Sequence, residues 1–181
     1  MNAIHCFCIF LNIVMDGHIN TIYQKVNIMK AENRYDSLIQ YYAEQKGLKW
    51  ELLKSQIKAE SNFDPDARSP VGAIGLTQFM KATWLEWQDG TPGIQSFKAL
   101  FKRTNPEQSI KAQAAYMKWL FKRFDYFSDI VQQTAVLASY NWGIGNVTRL
   151  IKKYGWMNFD ALPQETKDYV NRIDTYYFNQ L

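Results

Sequence analysis

The sequence predicts one mainly α domain with a small irregular region in its first half, and three observations predict it. From Tyr35 onward, apolar residues recur at intervals of three and four. No alternating strand series and no internal repeat interrupts that rhythm. Proline and glycine total only fourteen in 181 residues, and they mark a few short breaks.

The elements follow in order. Tyr35, Leu38, Ile39, Tyr42 and Ala43 share one helical face, and Gly47 is a stop. Trp50, Leu53, Ile57 and Glu60 continue the rhythm in a second helix. The next stretch, SNFDPDARSPVGAIG, contains Pro65, Pro70, Gly72 and Gly75, so it is irregular or a short hairpin. Thr77 to Trp87 reads as a helix, and Asp89-Gly90-Thr91-Pro92-Gly93 as a loop. Asn105-Pro106-Glu107-Gln108 is a helix start, with proline in the first turn and Ile110, Ala114, Met117 and Leu120 behind it. Asp129 to Tyr140 is a further helix with Ile130, Thr134, Leu137 and Ala138 on one side. Gly143-Ile144-Gly145 breaks it, and Val147 to Tyr154 and Thr166 to Phe178 are helical again.

Composition excludes whole classes of chemistry. The chain is 47% hydrophobic and 21% charged, long enough to bury a real core. Both histidines (His5, His18) and both cysteines (Cys6, Cys8) lie in the first eighteen residues. The body after Ile19 therefore has no Ser/His/Asp triad, no Cys/His dyad, no imidazole or thiolate zinc site and no disulfide framework. Its chemistry must use carboxylates, Lys, Tyr, Ser or Thr, and no metal or organic cofactor is implied. The net charge of +4 is mild, and the pairs Lys102-Arg103 and Lys152-Lys153 sit in mixed stretches. No basic run suggests a nucleic-acid partner.

Residues 1–28 form an apolar N-terminal segment apart from the 29–181 domain. Ile4 to Met15 is too short to span a bilayer. It also lacks the basic start and small-residue cleavage site of a secretory signal, since the first lysine is Lys25. Three readings stand: a degenerate export or anchor segment, a short packed helix, or upstream sequence preceding a start at Met15 or Met29.

Glu60 is the candidate catalytic residue because of its position. On a helix it falls on the face of Leu53 and Ile57, where the next core side chain belongs. Desolvation there penalises the charged carboxylate and raises its pKa, as a general acid near neutral pH requires. The Gly- and Pro-rich stretch behind it suits a cleft wall. The same position also fits a solvated carboxylate at a helix end, or one paired with Lys54 or Lys58.

Beyond single residues, Glu60-Ser61-Asn62-Phe63-Asp64-Pro65-Asp66-Ala67, Ser69-Pro70-Val71-Gly72-Ala73-Ile74-Gly75-Leu76-Thr77-Gln78-Phe79-Met80 and Thr83-Trp84 together resemble the core motif of the soluble-lytic-transglycosylase (SLT) domain family. Ala138-Ser139-Tyr140-Asn141-Trp142-Gly143-Ile144-Gly145-Asn146-Val147 is similar to its second motif, and Glu165-Thr166 with Tyr169-Val170 to its closing segment. The match runs in order over roughly 35–173. It implies an α+β, mainly α, lysozyme-like fold with a small hairpin or irregular region after the catalytic helix. The implied activity is cleavage of the β-1,4 bond between N-acetylmuramic acid and N-acetylglucosamine in peptidoglycan, at the periplasm or cell wall.

The resemblance carries the acid/base role to Glu60, substrate-binding or orienting roles to Ser61, Gln78, Tyr140 and Asn141, and groove lining to Met80. A Tyr140 hydroxyl bonded to Glu60 would hold the carboxyl in place. Trp84 and Trp142 are candidates for stacking on sugar faces. Asp64 and Asp66 suit turn formation better than catalysis. A one-acid mechanism therefore fits better than the two carboxylates of hydrolysis. The chain departs from the family at Thr77, where Met is usual, at Lys81, where Pro is usual, and at Trp142, where Ala is usual. The partner implied is the glycan strand of peptidoglycan, and the chain is expected to act on it as a monomer. A wall-docking component of a phage particle or secretion machine, or a goose-type lysozyme hydrolase, are the alternative readings.

Overall fold

The computed structural model describes residues 21, 24–25, 31–87 and 102–180. The chain divides into two units, Met1–Tyr35 and Asp36–Leu181. The expectations for Ile4 to Met15 and for the loop at Asp89 to Gly93 lie outside the described residues.

Among the described residues of the second unit seven helices follow one another: α1 (Asp36–Lys46), α2 (Trp50–Ser61), α3 (Lys81–Trp87), α4 (Pro106–Arg123), α5 (Asp129–Trp142), α6 (Ile144–Tyr154) and α7 (Gln164–Phe178), with a 3-10 turn at Phe159–Ala161. Among the described residues the only β pairing is two isolated antiparallel bridges, Arg68 with Ile74 and Ile74 with Phe79. The architecture is mainly α, with the irregular region directly after α2.

Local chemistry explains most boundaries. α4 starts where Asn105 accepts a hydrogen bond from the Gln108 amide at 3.0 Å, with Pro106 in the first turn. α2 ends at Asn62, whose left-handed backbone (φ 51°) lets its amide close on the Lys58 carbonyl. Two expectations need correction. The helix expected from Thr77 begins only at Lys81, because Gln78 has φ 48° and cannot lie in a right-handed helix. Ile130 stays 80% exposed, in the first turn of α5 where the helix has not yet reached the core, while Leu137 and Ala138 are fully buried.

α2 is the central element for function. It packs against α7 and α1, while α5 packs against α6, α7 and α4. Leu53, Ile57, Ile110, Met117, Leu120, Leu137 and Ile173 are completely buried between these helices. Burying each such side chain contributes about 1.5–3 kcal/mol. The C-terminal turn of α2 is thereby fixed against α7 and its last residues open onto the irregular region.

Candidate active site

Glu60 lies on the last turn of α2, one residue before the helix ends. It lines a groove of about 500 Å³ together with Ser61, Asn62, Gln78, Arg68 and, from α7, Arg172 and Tyr176. Tyr169, Arg172 and Tyr176 are spaced three and four apart, so one face of α7 forms the far wall. Protein surrounds the carboxyl, which remains partly accessible from the groove. Burial pushes its pKa up from 4.5 to about 7, against the opposing pull of a hydrogen bond from Tyr169 and the charge of Arg172.

The Tyr169 hydroxyl donates to Glu60 Oε1 at 2.6 Å. This corrects the sequence expectation, which gave that task to Tyr140. The Tyr140 hydroxyl instead donates to the Thr77 carbonyl at 2.9 Å, and its ring packs on Phe79 and Tyr116. Burial raises both phenols well above their ordinary pKa, so both are neutral. Tyr140 thus ties α5 to the groove wall, and Tyr169 holds the acid. Tyr169 belongs to the closing segment seen in the sequence, but nothing local to it signals contact with a residue 109 positions earlier.

The opposite wall is built by the loop after α2. Ser61 Oγ donates to the Leu76 carbonyl at 2.8 Å, so it ties the acid's helix to the loop. Gln78 lines the groove with its amide nitrogen held by the Gly75 and Ala67 carbonyls at 2.8 and 3.2 Å. Gly75 (φ 84°) is required here, because a Cβ at that position would sit 2.1 Å from the Arg103 carbonyl oxygen. Arg103 in turn donates to the Gly72 and Phe79 carbonyls, both at 3.2 Å. Among the described residues, three other than glycine adopt positive φ, namely Asn62, Phe63 and Gln78, and all three belong to this groove or its immediate backbone. Such strain persists only where surrounding bonds over-determine the chain.

The other expected residues scatter. Asn141 is exposed and accepts a hydrogen bond from Thr166 at 2.8 Å. Met80 is exposed outside the groove lining. Trp84 is completely buried against Phe79, so it has no face to offer a sugar. Trp142 is half-buried against the core. Thr77, the departure from the family pattern, is fully buried with its hydroxyl 2.7 Å from Ser109 Oγ, and it supplies the acceptor for Tyr140. Asp64 forms a turn by accepting from the Asp66 amide at 2.9 Å. Neither aspartate lines the groove, so among the described lining residues Glu60 is the only carboxyl.

Comparison with known proteins places this geometry. Membrane-bound lytic murein transglycosylase F of Pasteurella multocida is 37% identical over 112 residues, covering 60% of this chain and 20% of that protein. Peptidoglycan transglycosylase gp16 of Escherichia phage T7 is 29% identical over 144 residues, covering 77% of this chain and 10% of that protein. The chain therefore spans a quarter or less of these relatives. Among solved structures, an inactive Glu-to-Gln mutant of the lytic transglycosylase Slt from Pseudomonas aeruginosa superposes with a TM-score of 0.65 at 28% identity, over 80% of this chain and 23% of that one. The family model of the transglycosylase SLT domain matches residues 37–162, most of the second unit, and the chain belongs to that family.

Proposed function

We propose that the chain is a peptidoglycan lytic transglycosylase acting at the cell wall, with Glu60 as its acid and then its base. One observation carries this reading: a single carboxyl, raised to about 7, faces an open groove whose described lining holds no second carboxyl. Hydrolysis by the usual two-carboxylate route needs a partner to activate water or to attack the sugar. One acid suffices for intramolecular transfer.

In that reaction the neutral Glu60 gives its proton to the bridging oxygen as the bond from C1 of the muramic residue to that oxygen breaks. The resulting carboxylate then takes the proton of the muramic C6 hydroxyl, and O6 bonds to C1. A 1,6-anhydro product forms, no water is consumed, and Glu60 ends as it began. A pKa near 7 suits both halves, since the group must give and recover a proton at similar cost. Tyr169 orients the carboxyl and stabilises its charged form between the two steps. Gln78 and Ser61 shape the wall on which the sugar rests.

The test is incubation of purified sacculi with wild type and Glu60→Gln, followed by mass spectrometry. Wild type is expected to release 1,6-anhydromuropeptides and the variant about 10³-fold less. Reducing-end products would make it a hydrolase instead. Binding to sacculi with no soluble product from wild type would make it a wall-docking component.

A further inference from the structure

Two glutamines on the far side of Tyr169 play no part in the chemistry above. Gln56 on α2 and Gln113 on α4 are both completely buried. They meet inside the core, where Leu53, Ile57, Ile110 and Met117 of the same two helices are also completely buried. Gln113 Nε2 donates to the Leu53 carbonyl at 3.4 Å and to Gln56 Oε1 at 2.8 Å. Gln56 Nε2 donates to the Tyr169 hydroxyl oxygen at 3.0 Å, and that hydroxyl donates to Glu60.

Every donor in this chain points the same way. A backbone carbonyl can only accept, so Leu53 fixes which end of the Gln113 amide faces it. Gln113 then presents a donor to Gln56, which leaves Gln56 with only its NH2 for Tyr169. A tyrosine oxygen that receives a donor directs its own proton elsewhere, here to Glu60. If Gln56 were turned over, its carbonyl would compete with Glu60 for the Tyr169 proton. Stability does not account for the arrangement. Burying two carboxamides costs more than burying an apolar pair, and Gln113 Oε1 is left without a hydrogen-bond partner.

We infer that Gln56 and Gln113 are positioning residues that fix the direction of the Tyr169 hydroxyl and thereby set the proton affinity of Glu60. Neither touches the carboxyl. Each donation polarises the next group, so Tyr169 is a stronger donor with Gln56 behind it than without. The other groups facing Glu60 are Arg172 from α7 and the neutral Tyr140 from α5, with Lys58 and Arg68 lining the same groove. None of these touches the glutamine pair in the hydrogen bonds above, so the two influences separate.

The inference rests on Glu60 as the acid, and it is read without turnover. The experiment is a 13C NMR titration of glutamate carboxyls, with the Glu60 signal assigned by its loss in Glu60→Gln. In Gln56→Leu the Glu60 midpoint is expected to rise by about 0.5 pH. In the Tyr169→Phe background the same change is expected to move it no further. No movement in wild-type background, or equal movement in both, overturns the inference. If Gln56→Leu loses its helical circular dichroism, Gln113→Leu replaces it with the same two arms. Absence of anhydromuropeptides from a wild type that still shows the coupled titration would overturn the proposed reaction and leave the relay standing.

Discussion

Among the described residues of the second unit, two concavities have nearly equal volume, and charge is treated differently in each. The cavity of about 530 Å³ between the α1–α2 turn, α4 and the start of α5 is lined by Lys49, Lys118, Lys122, Asp125 and Asp129. All five of these side chains are exposed, and both signs of charge are present around the rim. Water solvates them, and Lys49 is raised further by the neighbouring Tyr177, whose ring centroid lies 5.8 Å from its Nζ, so it keeps its charge. The groove at the end of α2 instead encloses one carboxyl and lifts it by burial to about 7. Volume therefore does not distinguish a reactive site from a surface hollow. A desolvated titratable group with a fixed donor does.

The largest expected effect sharpens this contrast directly. Glu60→Gln is expected to lower the release of muropeptides by about 10³-fold, the middle of the range for loss of a general acid or base. Lys118→Ala in the other cavity is expected to leave the rate within about twofold, measured in the same sacculus assay. Comparable losses from both would erase the distinction.

Stability breaks the comparison from another side. A carboxyl whose folded pKa is raised binds its proton more tightly in the folded state than in the unfolded chain. Below pH 4.5 both states are protonated and nothing is lost. Between pH 4.5 and 7 the unfolded state alone ionises, and stability falls. Above 7 the full cost, about 3 kcal/mol, is present. Glu60→Gln is thus expected to be more stable than wild type by about that amount at pH 8 and indistinguishable at pH 4, by urea denaturation at both values. Asp125→Asn in the open cavity is expected to change neither.

The two halves of this site differed in how legible they were. Glu60 could be found because its helix carries an apolar stripe, and the three-and-four spacing of Leu53, Ile57 and Glu60 is a local pattern. The turn chemistry of Asp64 was local too, and it appears as the bond to the Asp66 amide. The helices were legible for the same reason, except where a single backbone angle decided a boundary, as at Gln78. What joins the acid to its surroundings is not local. Tyr169 and Gln113 approach α2 from helices more than fifty residues away, and only packing brings them there. The sequence points to Tyr140 as the hydroxyl on Glu60 because it lies inside a motif, whereas Tyr169 fills that place. Trp84 was misjudged as a sugar platform because an aromatic beside a motif looks the same in sequence whether it is buried or open. Gln56 did leave a signal, a carboxamide inside the stripe one turn before the acid.

The two tyrosines offer a finer comparison. Tyr169→Phe removes the donor that stabilises the charged carboxyl, so the Glu60 pKa rises and the alkaline limb of activity is expected to move up by about one pH. Tyr140→Phe removes a bond to a backbone carbonyl, so it is expected to cost about 1 kcal/mol of stability and leave that limb in place. A pH–rate profile and a denaturation curve for each variant separate the roles.

The smallest effect concerns Arg172, an exposed cation on the groove wall whose charge draws the Glu60 pKa downward. It acts through space, with no hydrogen bond to the carboxyl, and part of the path lies in solvent. Arg172→Gln is therefore expected to raise the alkaline limb by only a few tenths of a pH unit at low salt. Raising the ionic strength to about 0.5 M shrinks the screening length to a few ångströms and is expected to bring the wild-type limb up to that of the variant. The Tyr169→Phe shift, which comes from a hydrogen bond inside protein, is expected to persist at the same salt. A salt-independent Arg172 effect would mean that the guanidinium acts by contact, and the groove would then hold two positioning groups on α7 rather than one.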